Sequence, residues 1–165
     1  MKAQVIFLMV LTVGMTVLAQ APDTLWTRTY GGPGADFARC IQETDDGGFI
    51  IVGTTDYSYY SIGQAWLIKT DAWGDTVWTS KFGSIGQCTT GEYVQQTHDG
   101  GYILCGNTDS WGAEDRDAYL LKTDADGNCQ WVQNYGAVGE DEVYCVQQTS
   151  DHGYITVGNT ISWGG

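Results

Sequence analysis

From residue 23 onward the apolar positions come in short runs punctuated by Gly, Asp and Asn, and nowhere do they hold the spacing of an amphipathic helix. Four such runs recur in a fixed order. The first is headed by tryptophan, as in Trp26-Thr27-Arg28-Thr29-Tyr30, with Trp26, Arg28 and Tyr30 on one side and the threonines on the other, which suits a strand near an outer edge. The second, Phe37 to Thr44, is predicted to turn into the third, Phe49 to Thr55, across Asp45-Asp46-Gly47-Gly48. Asp-Gly between strand-like runs points to a tight hairpin of the primed type, because Gly supplies positive φ at no steric cost. Where the third hairpin reads Asp151-His152-Gly153, His152 is expected to be a turn residue, since His tolerates positive φ better than most residues with a side chain. The third run is apolar almost throughout: Phe49 to Val52, Tyr102 to Cys105, and Tyr154 to Val157 with Thr156 as its one polar residue. Both faces of these strands are therefore predicted to be covered. The fourth run, Trp66 to Lys69 and Tyr119 to Lys122, leads by another hairpin into the next tryptophan-headed run.

The order repeats. Trp26, Trp78 and Trp131 head segments 52 and 53 residues apart, and Lys69 and Lys122 keep the same period. This divides the chain into repeat one (23–74), repeat two (75–127) and an incomplete repeat three (128–165), about 2.7 copies. The predicted fold is all-β: a partial β-propeller of four-stranded antiparallel blades, each covered on both faces by its like. A β-sandwich could use the same hairpins but would not need them to repeat in register. Rings typically close with about four to eight blades. Further repeats beyond Gly165, or self-association, are therefore expected to complete this one, since an open arc exposes apolar flanks and a strand edge.

The segments Tyr30-Gly31-Gly32-Pro33-Gly34-Ala35-Asp36, Gln42 to Thr44, Asp46-Gly47-Gly48-Phe49-Ile50-Ile51-Val52-Gly53 and Leu67-Ile68-Lys69-Thr70-Asp71 resemble the bacterial β-propeller repeats of large secreted proteins, the group often called SBBP repeats. The resemblance runs over essentially the whole chain after residue 20. It implies a bladed fold and an extracellular setting, and it carries no particular activity. The strand and turn order is also kelch-like, but Val52-Gly53-Thr54 stands where a kelch blade has paired glycines.

The N-terminus fits that setting. Met1-Lys2, an apolar run from Val5 to Leu18 and then Ala19-Gln20-Ala21-Pro22 have the layout of a secretory signal peptide over residues 1–19, with a mature start at Gln20. The run is shorter than the roughly 20 residues a spanning helix needs, so no membrane span is expected. Removing Lys2 leaves six of the seven Lys and Arg against twenty Asp and Glu, a net charge of about −14. Such a surface disfavours nucleic acid, whose binding rests on neutralising phosphates, and favours solubility outside the cell. Cys40, Cys88, Cys105, Cys129 and Cys145 are irregularly spaced and form neither a metal-type pair nor a disulfide framework. Cys40 and Cys145 share a repeat position with Tyr93, and Cys105 shares one with Val52 and Val157, so these three read as buried space-fillers.

Catalytic chemistry finds no foothold. There is no G-x-S-x-G elbow, and the two histidines, His98 and His152, sit at non-equivalent places in two hairpin turns. The sharpest metal candidates are Asp124-Ala125-Asp126-Gly127-Asn128 and Glu114-Asp115-Arg116-Asp117. The first lacks the spacing and terminal Glu of an EF-hand loop, its repeat-one counterpart has Trp73 in the middle position, and it reads as a plain hairpin turn in preference to a structural calcium site; no cofactor is expected. Aromatics are the remaining candidates. Trp66, Trp73, Trp111 and Trp163, with Tyr57, Tyr59 and Tyr60, suit either carbohydrate and protein contacts or packing between blades, and packing is the favoured reading. The expected function is that of a non-catalytic binding or structural module for an extracellular protein or glycan. The alternative is part of a glycan hydrolase or lyase whose site needs a complete ring.

Overall fold

The computed structural model describes residues 24–58, 61–84, 87–110 and 116–161. The proposed signal segment, Tyr59, Tyr60, Trp111, Glu114, Asp115 and Trp163 lie outside them. The described residues contain ten strands and no helix.

Strands β1 (Ala35–Glu43), β2 (Phe49–Ser58), β3 (Ser61–Thr70) and β4 (Thr76–Phe82) form a first antiparallel sheet in chain order. β5 (Tyr93–Gln96), β6 (Tyr102–Thr108), β7 (Asp117–Thr123) and β8 (Cys129–Tyr135) form a second, and β9 (Asp141–Gln148) and β10 (Tyr154–Thr160) a two-stranded third. The registers repeat: Glu43 faces Phe49 as Gln96 faces Tyr102 and Gln148 faces Tyr154, while Lys69 faces Trp78 as Lys122 faces Trp131. The sheet is out of phase with the sequence repeat. The tryptophan-headed run closes the preceding sheet, so β4 and β8 are outer edges, whereas residues 24–30 lie in no strand.

The hairpins between the first and second strands differ from the expected primed turns. Thr44 N donates to Gly48 O and Gly47 N to Thr44 O, which makes a three-residue loop with only Gly47 at positive φ (77°). Such a loop is a type I turn followed by a left-handed residue, which preserves the twist of the strands without two positive-φ positions in a row. Gly100 (81°) and His152 (67°) take the same place in the other two hairpins. His152 is thus a turn residue in the left-handed region, as its sequence context predicts.

Packing explains why the third run is apolar on both of its faces in the first two sheets. The back face of the first sheet (Ile50, Val52, Ala65, Leu67) meets the front face of the second (Val94, Tyr102, Leu104, Tyr119, Leu121) in one core. The alternate residues of the second sheet, Ile103, Cys105 and Leu120, meet Val143, Val146 and Tyr154 of the third in another. Each fully buried aliphatic side chain contributes about 1.5–3 kcal/mol of transfer free energy. The third sheet departs from the expectation of two covered faces. Ile155 and Val157 are 61% and 62% exposed, where the equivalent Ile50, Val52, Ile103 and Cys105 are at 0%. The physical reason is local: among the described residues no sheet stands behind β10.

Candidate interaction surface

In the first two sheets the end that carries the first hairpin is fixed by a buried cation. Thr44 Oγ1 and Gly48 N donate to Asp46 Oδ1, and Lys69 Nζ, reaching up from β3, donates to both oxygens of the same carboxylate at 3.0 and 2.8 Å and to Thr70 O at 2.8 Å. Gly48 is obligatory beneath it, since a Cβ there would lie 2.7 Å from Lys69 Nζ and 2.1 Å from Thr70 O. The second sheet repeats the arrangement with Thr97, Asp99, Gly101 and Lys122. The lysines are buried, with 5% and 3% of their surface exposed, and the aspartates are open to solvent on one side. Hydrogen bonds from Lys69 and Thr44 hold the Asp46 carboxyl down at about 2, and those from Thr97 and Lys122 do the same for Asp99. In the third sheet Thr149 and Gly153 grip Asp151 in the same way.

Glutamines join neighbouring turns. Gln96 N donates to Gln42 Oε1 and Asp45 N to Gln96 Oε1, both at 2.9 Å. One sheet further on, Gln148 N donates to Gln95 Oε1 at 2.7 Å and His98 N to Gln148 Oε1 at 2.9 Å. These reciprocal pairs set adjacent turns side by side and bring the His98 and His152 rings to 5.4 Å, edge to face. Both histidines are exposed. Asp45, His98 and Ser150, at one equivalent position of three turns, form a row of exposed polar side chains along this end.

At the outer edge a tryptophan of each tryptophan-headed run leans on an aromatic of the following sheet. Trp78 and Tyr102 have ring centroids 5.8 Å apart, Trp131 and Tyr154 5.7 Å, and Trp26 and Phe49 6.0 Å. The 24–30 run therefore holds the place of an outer strand in front of the first sheet, and Tyr30 OH ties it to Gly74 O at 2.6 Å.

The sequence candidates divide as follows. Both oxygens of Asp124 accept hydrogen bonds from its own turn, Oδ1 from Asp126 N and Asn128 N and Oδ2 from Asn128 Nδ2, which lowers its pKa, the Asn128 side chain being the largest cause. Asp71 caps Trp73 N and Asp75 N similarly, leaving Trp73 exposed. Among the described residues no group of three or more His, Cys, Asp or Glu is placed to hold a metal ion. Trp66 lies half-buried beside Tyr30, Asp36 and Ile68. Cys105 is buried and its thiol is pushed up to about 12, chiefly by burial, whereas Cys40 and Cys145 are only half-buried. A cleft of about 620 Å³ opens between the second and third sheets, lined by Tyr119, Tyr135, Asp141, Glu142, Thr156 and Asn159. No helix of the described residues is long and apolar enough to cross a membrane.

The buried lysines and the glutamine pairs were missed by sequence reasoning. Their signals were a Lys recurring inside an otherwise apolar run, and a polar pair recurring as Gln42-Glu43, Gln95-Gln96 and Gln147-Gln148 just before each turn threonine. Compared with protein-family models and with curated proteins, the chain matches none.

Proposed function

We propose that the chain is a secreted, non-catalytic β-propeller repeat module of the SBBP type, exported by residues 1–19 and presenting the loops of its blades to an extracellular protein or glycan. One observation carries the reading: like sheets stacked in chain order through the same contacts, with equivalent hairpin turns brought into a row at one end. A stack of this kind offers a repeated surface instead of a single enclosed reaction centre, and extended repeated surfaces are suited to recognition. The cleft between the second and third sheets and the exposed Trp73 supply the apolar and polar groups that sugar rings and peptide chains both use.

The test is retention without turnover. The full chain is expected to hold one class of ligand on a glycan or extracellular-protein array and to leave it chemically unchanged by mass spectrometry. Release of a shortened glycan by the purified protein would overturn the reading in favour of a hydrolase or lyase.

A further inference from the structure

Among the described residues the two sheet-to-sheet interfaces are one interface made twice, and each of its halves recurs on an outer sheet, open on the third and partly covered on the first. The front half consists of an apolar residue on the first strand (Val94, Val146), an aromatic opening the second strand (Tyr102, Tyr154) and a glutamine beside the turn (Gln96, Gln148). On the first sheet the same half is Ile41, Phe49 and Glu43; Ile41 is 39% exposed where Val94 and Val146 are at 0%, and Glu43 is exposed, while Phe49 is half-buried against Trp26 and Ile51 beside it is buried. The back half is the pair of alternate apolar residues on the second strand (Ile50 and Val52, Ile103 and Cys105), with an accepting glutamine (Gln42, Gln95) and a donating turn amide (Asp45 N, His98 N). On the third sheet that half is Ile155, Val157, Gln147 and Ser150 N, all on exposed residues.

We infer that these two outer halves bind each other between copies, the back of the third sheet of one copy seating on the front of the first sheet of a second copy. The polar pairing is then complete, because Glu43 N can donate to Gln147 Oε1 of the second copy and a Glu43 carboxylate oxygen can accept from Ser150 N of the second copy. Only an acceptor oxygen is used by the side chain in both internal pairs, so a carboxylate serves where Gln96 and Gln148 use a carboxamide. The front of the first sheet is already prepared for a sheet before it. Trp26 rests on Phe49 as Trp78 rests on Tyr102, and Trp78 belongs to the outermost strand of the sheet that precedes Tyr102. The 24–30 run thus stands where the outer strand of the incoming third sheet belongs. The contact is heterologous, front to back, and closes into a ring or extends according to the rotation between sheets.

Sedimentation velocity on the full chain over roughly 1 to 100 μM tests it, with circular dichroism confirming that each variant is folded. The wild type is expected to self-associate. Val157→Asp and Ile41→Asp each destroy one half in every molecule and are each expected to be monomeric, while an equimolar mixture of the two recovers a one-to-one dimer through the one intact pair of halves. Gln147→Ala, a change at an exposed residue, is expected to weaken wild-type association roughly fivefold or more. A wild type that stays monomeric throughout would show that nothing of this kind covers the faces, and would overturn the inference. Self-association of either Asp variant alone, or a mixture that remains monomeric, would overturn the front-to-back geometry. An unchanged association in Gln147→Ala would remove the glutamine pairing from it.

Discussion

Lys69 and Lys122 brace the first hairpin turns of the first two sheets. Each is buried at the foot of an aspartate that is itself largely exposed, so part of the attraction is screened by water and the net worth of each pair is modest. Replacing Asp99 by Ala leaves the buried ammonium with backbone and Gln130 oxygens only, and is expected to cost about 1–3 kcal/mol in a denaturant melt at pH 7. The pH dependence follows from the depressed carboxyls. Because the folded values of Asp46 and Asp99 are about 2 against an ordinary 3.8, their stabilisation is fully present above about pH 4 and is lost as pH falls toward 2. An Asp46→Asn, Asp99→Asn double variant should therefore melt below the wild type at pH 7 and approach it at pH 2.5; parallel curves at both pH values would contradict the ion-pair account. At Cys105, burial and the raised thiol pKa predict that a thiol reagent modifies it only on unfolding, while the exposed Cys129 reacts in the native protein, which peptide mapping after a timed quench would reveal.

Elements were legible wherever local chemistry decides them. The position of the turns, the order of the strands and the place of His152 could be read from residue type alone, whereas the turn type could not, since the expected primed turns gave way to loops with a single left-handed residue. What the chain did not disclose depends on register. Asp46 and Lys69 are 23 residues apart, and only the pairing of β2 with β3 and the shape of the turn bring them together. The exposure of Ile155 and Val157 follows from the count of repeats, since an open arc leaves apolar flanks bare, and not from the strand itself, whose pattern records what it can bury against while coverage depends on a neighbour. At His152 the left-handed backbone opposes a side chain, so His152→Gly is expected to raise the melting free energy of the β9–β10 hairpin by about 0.5–1 kcal/mol, seen as slower amide exchange there. Gln42→Ala and Gln95→Ala each strip an acceptor from a neighbouring backbone amide. Each is expected to destabilise the chain by about 1–2 kcal/mol in urea, whereas Gln147→Ala should leave the unfolding of the isolated chain unchanged.

At the scale of the whole molecule, the stack is held by an apolar centre, a tryptophan at its rim and a glutamine exchange at the turns, and these three contacts point the same way at both interfaces. A formal charge of −13 opposes any gathering of copies, so self-association is expected to strengthen when salt is raised from low to physiological levels. Weakening under added salt would show that attraction between unlike charges dominates the contact instead. Each stretch of about 53 residues carries a front and a back that fit one another. A tandem duplication of such a stretch in the gene therefore delivers a unit already complementary to its neighbours, with no second mutation needed at the junction. Lengthening by copying is then the easy route of change, and an isolated substitution on one face is the hard one, because it must still fit the equivalent partner face of the neighbouring unit.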